Sequence, residues 1–238
     1  MPTRPTSPDP ADVAGPPRRR YDSPLRRERA AATRAAVIEA SAQAFSDHGY
    51  NGATMAQIAA TAGVSADTVG LIGNKAFLLL EAFRTRYAGG GGWQSLLEQS
   101  DVQEIFDIED PAEGIDATVE FLARGHSRSA RLWLVVRTTA ATDPQVAEEF
   151  AELTRLKNES FLHTTRWLVR IGVLPPAGDG AHDADAGVDD VSPGLRRLVA
   201  EVSLLMSAEI YLLLTADHGY SLDDYREWLT ARLREQRT

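Results

Sequence analysis

Arginine carries most of the chemistry this sequence can offer. Twenty-three arginines stand beside two lysines, and 34 acids outweigh them to leave a formal charge of −9. Taken as an average, that charge argues against a polyanionic partner; split along the chain, it does not. Residues 1–34 hold eight arginines against four acids, residues 35–88 stand at −1, and residues 89–238 carry −12. The N-terminal run with Arg18, Arg19, Arg20, Arg26, Arg27 and Arg29 is the kind of cation cluster that supplies contacts to phosphates.

Catalytic chemistry is poorly provided for. No cysteine is present, so disulfides, thiolate nucleophiles and cysteine metal sites are excluded. His48, His126, His163, His182 and His218 are scattered, and no HExxH, nucleophile elbow or P-loop occurs. Gly89-Gly90-Gly91-Gly92 follows a helical pattern rather than a strand, so it is no dinucleotide fingerprint. The acids from Asp179 to Asp190 lack the spacing of a calcium loop. An enzyme is not expected, and neither is a cofactor or metal. Arg137 stands four residues after Trp133, on the same helical face. If buried it needs a partner, either a protein carboxylate such as Glu120 or an anionic ligand.

The elements that must position these groups are helical throughout. Residues 1–24 are proline-rich and read as a disordered basic tail. From Arg27, the residues Ala31, Ala35, Ile38, Ala42 and Phe45 recur at helical spacing up to a capping Gly49. Thr54 caps a second helix from Met55 to Ala62, Gly63 makes a turn, and Ser65 caps a short third. Two short helices joined by such a turn form a helix-turn-helix. A fourth helix runs from Lys75 to about Tyr87, which places a boundary between a 25–88 unit and an 89–238 unit. In the second unit Asp110-Pro111 opens a helix to about Arg124, Ser127 to Ala141 forms another, and Asp143-Pro144 opens a long one to Ile171. A loop at 175–193 follows, then one apolar helix from Leu195 to His218 and a last one capped by Ser221. The apolar stretch Leu204 to Ala216 contains Glu209 and falls short of the ~20 residues of a membrane span, so a cytoplasmic protein with no membrane partner is expected. The fold class is all-α, an N-terminal helix-turn-helix domain followed by a C-terminal helical domain.

The stretch from Ala35 to Phe83 resembles the DNA-binding domain of the TetR family. The resemblance rests on Ala40 to Phe45, Gly49-Tyr50, Ala53-Thr54, Ile58-Ala59, Ala62-Gly63-Val64-Ser65, Thr68-Val69 and Lys75 with Leu78-Leu79. It implies that Thr54 and Lys75 hold phosphates, and that Ser65, Ala66, Asp67, Thr68 and Leu71 lie on a recognition helix in the major groove. Arg26, Arg27 and Arg29 add phosphate or minor-groove contacts. Where the family carries aromatics after the position of Val69, this chain has Gly70-Leu71-Ile72-Gly73-Asn74.

The same resemblance implies a homodimeric, ligand-responsive regulator, most often a repressor, acting on a palindromic operator. The partners are then operator DNA, a second copy, and a small, mainly apolar effector. Phe121, Trp133, Arg137 and Phe161 are the candidate effector contacts, with Trp93 nearby; the same aromatics also suit a plain core. Val146, Phe150, Leu153, Phe161, Leu168 and Ile171 on the helix after Asp143, and Ala200, Ser203 and Ser207 on the apolar helix, are the expected dimer face. A helical ligand-binding or interaction protein without sequence-specific DNA binding is the alternative.

Overall fold

The computed structural model describes residues 24–88, 96–177 and 191–236. The tail with Arg18 to Arg20, the glycine run with Trp93, and the stretch from Asp179 to Asp190 lie outside the described residues.

Helix α1 (Pro24–Gly52) opens on a proline, whose missing N–H costs nothing in a first turn. It starts three residues before Arg27. Arg26, Arg27 and Arg29 therefore stand on its first two turns, exposed, and not on an arm ahead of it. Gly49 interrupts it at φ 67, a conformation that strains any residue with a Cβ. Helix α2 (Met55–Ala62) begins with a reciprocal cap. The Thr54 hydroxyl accepts from the Gln57 N–H at 3.2 Å, and the Gln57 side chain accepts from the Thr54 N–H at 2.8 Å. Gly63, at φ 68, ends it and turns the chain into α3 (Ala66–Ile72), where the Ser65 hydroxyl accepts from the Thr68 N–H at 3.2 Å. The axes of α2 and α3 cross at 102°, within the usual range for a helix-turn-helix. Asn74 caps α4 (Lys75–Ala88), its side-chain carbonyl accepting from the Phe77 N–H at 2.8 Å.

The second unit departs from the sequence reading in three places. Helix α5 (Ser100–Phe106) has no counterpart in that reading, and one helix, α6 (Pro111–Thr139), replaces the two separated near Arg124. An interior glycine costs a helix only about 1 kcal/mol, and Gly125 is carried through by the packing of α6 on α4 at one end and on the C-terminal helix at the other. Helix α7 (Pro144–Arg170) begins at Asp143, as its Asp-Pro pair requires. The third departure is the apolar helix, which breaks into α8 (Pro193–Leu205) and α9 (Ala208–Leu212), followed by a π turn over Leu213–Asp217. Ser207 restarts it, its hydroxyl accepting from the Ile210 N–H at 3.1 Å. Helix α10 (Leu222–Glu235) closes the chain, with Ser221 and Asp224 in a reciprocal cap.

Two main cores hold these helices, with a small third cluster of Leu162, Ala177, Val191 and Leu195 beneath α8. The first joins Phe45, Ile58, Val69 and Leu79 of the N-terminal unit to Leu132, Val136, Val146 and Leu153 of the second. The other gathers Ile115, Trp167, Leu168, Val202, Tyr225 and Leu229 at the far end. Val146, Leu153, Leu168 and Ile171 are thus buried inside this chain, which removes most of the dimer face expected on α7. The α8–α9 rod is different. Its run of 25 residues from Pro193 to Asp217 has the length and composition of a membrane span, which corrects the expectation that no stretch is long enough. Only 11% of its most apolar window is buried, and Leu204 and Leu213 are exposed.

Two glycines of the helix-turn-helix predict opposite responses to one substitution. A Cβ at Gly63 or at Gly70 meets nothing within 4 Å, so backbone conformation alone decides. Gly63→Ala, at positive φ, should destabilise the protein by about 1–2 kcal/mol. Gly70→Ala, inside α3, should stabilise it by up to about 1 kcal/mol. Thermal denaturation reads both.

Candidate nucleic-acid interface and ligand cavity

On α3, Val69 is fully buried and anchors the helix, while Ala66, Asp67, Gly70 and Leu71 share the outer face. Ser65 is exposed at the cap and Thr68 is half-buried, its hydroxyl 2.9 Å from that of Ser65. Leu71 is 89% exposed, the most exposed large apolar side chain among the described residues. Projected into a major groove, such a side chain suits the methyl of a thymine. Thr54 is exposed at the start of α2, but its hydroxyl is engaged with Gln57, donating to the side-chain oxygen at 2.8 Å. A phosphate there would meet the free amides of the helix end as well as the threonine.

Lys75 opens α4 with its ammonium 4.9 Å from the centre of the Tyr50 ring, a cation–π contact that holds the side chain in place. Tyr50 donates to Asp143 at 2.9 Å, and the other oxygen of the same carboxylate caps α7 by accepting from the Gln145 and Val146 amides. Lys75, Tyr50 and Asp143 thus form a line from the DNA-facing unit to the first turn of α7. Asn74 to Gln145, at 3.0 Å, and the Arg84–Glu149 ion pair run beside it. Sequence reasoning finds Lys75 and the cap at Asp143 but not the link, because it spans 93 residues.

The second site is a cavity of about 380 Å³ between the two cores, within the size range of small-molecule sites. Phe121, Trp133 and Phe161 line it, joined by Phe83 and Tyr87 from α4 and by Trp167. Trp133 packs against Phe83 and Phe150 with ring centres 5.8 and 5.3 Å apart. Arg137 is not in the wall. It is exposed and pairs with Glu209, correcting the expected Glu120, which pairs instead with Arg226 and Arg124. Glu209 does reach the cavity, and also accepts from the Trp133 indole N–H at 2.9 Å. Burial works against its charge, but the bonds from Trp133, its own backbone and Arg137, with the charge of Lys157, hold its carboxyl below the usual range. Lys157, which no sequence motif marks, lies 4.5 Å above the Trp133 ring. His126 also lines the cavity, and burial pushes its pKa down to about 4 against the opposing charge of Glu209, so it is neutral at physiological pH.

Residues 37–69 match the family described as bacterial regulatory proteins, tetR family. No curated relative matches the chain. Among solved structures, a protein from Saccharomonospora viridis assigned as a transcriptional regulator, in complex with choline, is 22% identical with a TM-score of 0.58, covering 84% of this chain and 95% of its own. A second, from Pseudomonas aeruginosa PAO1 and likewise assigned, is 14% identical with a TM-score of 0.52 over 86% and 89%. Both are likenesses of fold.

The link through Tyr50 has a pH signature. Burial, followed by the hydrogen bond to Asp143 and the charge of that carboxylate, pushes the phenol up to about 12 from an ordinary value of 10. A group whose folded pKa is raised contributes stability in full below its unfolded pKa and loses it as pH climbs through the folded one. Tyr50→Phe should therefore cost about 0.5–1.5 kcal/mol at neutral pH and fall off less steeply than the parent between about pH 10 and 12. Urea denaturation at a series of pH values measures the difference.

Proposed function

We propose that this chain, a DNA-binding regulator of the TetR family by its N-terminal unit, works as a ligand-responsive homodimeric repressor on a palindromic operator. The observation that carries the reading is the double use of α4. Its first residue is Lys75, and twelve residues later, roughly 18 Å along the axis, Phe83 and Tyr87 have both entered the wall of the cavity. A molecule seated among those rings bears on the helix that presents Lys75. Small-molecule binding in this fold has a precedent in the choline complex of the Saccharomonospora viridis protein.

Two-fold symmetry follows from the target. A palindromic site needs two recognition helices about one helical turn apart or slightly more, and a symmetric dimer supplies them. The α8–α9 rod supports the dimer, since Leu204 and Leu213 stand exposed along it. Contact to phosphates falls to Lys75, Thr54 and the exposed Arg26, Arg27 and Arg29; base contact falls to Ser65, Ala66, Asp67, Thr68 and Leu71. An acid at Asp67 accepts from a cytosine amino group and repels elsewhere. The competing reading, an interaction protein that has lost operator recognition, draws on the apolar tip of α3 at Gly70 and Leu71.

Binding to DNA flanking the chain's own gene, followed by fluorescence anisotropy against salt, tests the proposal. Lys75→Ala, or joint replacement of Arg26, Arg27 and Arg29 by alanine, should weaken binding to every sequence and lower the salt slope by about one for each phosphate no longer neutralised. Thr68→Ala should change sequence preference instead. Light scattering should give a dimer that Leu204→Glu with Leu213→Glu converts to a monomer, and an effector should weaken operator binding about 5- to 150-fold. Affinity indifferent to salt and to all three sets of changes would leave the interaction protein, and a monomer that sediments with lipid vesicles would assign the rod to a membrane.

A further inference from the structure

One of the chain's two lysines, half-buried, lines the cavity. Lys157 sits in the middle of α7, between Leu153 and Phe161, which also line the wall. Burial lowers its pKa from the ordinary lysine value, with Glu209 opposing the shift and Arg137 adding to it. Among the described residues its ammonium has the Trp133 ring beneath it and neither a hydrogen bond nor an ion pair. Glu209 is near enough for its charge to act on Lys157 but makes no ion pair with it, and its Oε1 accepts from Trp133 and Arg137. Three donors therefore face a largely apolar space without an acceptor, in surroundings where an unpaired charge is costly.

Three hydroxyls of the wall leave any donation to an anion to other groups. The hydroxyls of Thr118, Ser129 and Ser160 each donate to a carbonyl of their own helix, four residues back, at 2.8 to 2.9 Å. They keep lone pairs but no spare proton. The charged side chains of the wall, Arg124, Arg128 and Lys157 against Asp101 and Glu209, leave it one positive charge in excess, and Lys157 already covers the Trp133 face where a cation would stack.

We propose that the cavity takes a small amphiphile with a single anionic head, a carboxylate on an apolar body, whose oxygens are held by the Lys157 ammonium while the rings of Phe83, Phe121, Phe161 and Trp167 enclose the rest. This rests on the reading of the chain as a sensor and supplies its ligand class. A ligand carboxylate gives Lys157 a bonded acceptor; a quaternary ammonium meets the Lys157 charge instead.

Calorimetry on the full-length protein with 4-phenylbutyrate, 4-phenylbutanamide and 3-phenylpropyltrimethylammonium tests this, because the three share a body and differ in charge. The carboxylate should bind about tenfold or more tightly than either of the others. Lys157→Met should abolish that preference and leave the amide within about twofold of its original affinity, while Lys157→Arg should retain most of it. With two lysines in the chain, carbon-13 methylation gives each its own magnetic resonance signal. The carboxylate must move that of Lys157 and leave that of Lys75 in place, a result that does not depend on any variant folding. Equal binding by the three, tightest binding by the ammonium, or a preference that survives Lys157→Met overturns the anionic head. If any probe nevertheless changes operator affinity, the sensor reading stands without it; if none binds at millimolar concentration, both fall.

Discussion

Everything in this molecule is referred to α4. Ala76, Leu78, Leu79, Leu80, Ala82 and Phe83 are all buried, and these positions go most of the way round the helix, as they must in one clamped from several sides. Helix α1 packs on one side and α6 on another. The helix-turn-helix and the larger unit consequently share a core rather than a linker, and neither can turn on the other without repacking side chains in van der Waals contact. Close-packed interiors resist small deformations and shift between discrete arrangements instead. Asp143 reinforces the clamp by capping α7 with one oxygen and receiving Tyr50 on the other.

The cavity follows from the same arrangement. Helices α6 and α7 each run through both cores, joining the first near Trp133 and Leu153 and the second near Val119 and Trp167. Two cores anchored at opposite ends of the same pair of long helices leave space where neither supplies side chains. That space is walled largely by aromatics because large rings are what can reach across it.

Most of the N-terminal unit is legible in the sequence because its signals are local. Thr54, Gly63, Ser65 and Asn74 act within four residues of where they stand, and a cap or a left-handed turn reads the same in a sequence as in a fold. The second unit is legible where it uses the same devices, at Asp110-Pro111, Asp143-Pro144 and Ser221. It misleads where packing overrides them. Gly125 looks like a stop, yet α6 continues because both of its ends are held. Ser203 and Ser207 look like a small-residue seam, yet Ser207 is an N-cap that breaks the rod. Among the candidate contacts, Phe121, Trp133 and Phe161 are marked by size and spacing alone, whereas Arg137 suggests the wrong carboxylate, since nothing in 72 residues of separation points to Glu209.

The break in the rod forms part of the cavity wall. Met206, Ser207, Ala208 and Glu209 line the cavity at the junction of α8 and α9, while Leu204 and Leu213 on either side of that junction face outward. A π turn follows directly on α9, and irregular winding of this kind is where a helix changes pitch at small cost. A ligand in the cavity therefore touches α4 on one side and the one point of the rod whose geometry is not fixed by regular hydrogen bonding on the other. Glu209 lies at that point, tied to Trp133 and Arg137 on α6 and close to the charge of Lys157 on α7. The proposed anionic head, on engaging Lys157, would compete with Glu209 for positive charge and loosen the tie between α9 and its neighbours, while the ligand's body would press on Phe83. Under the proposed function both displacements would begin at one site, and in a two-fold assembly built on the rod both would alter the separation of the two copies of α3: one by moving α4 within each subunit, the other by changing the angle at which the subunits meet.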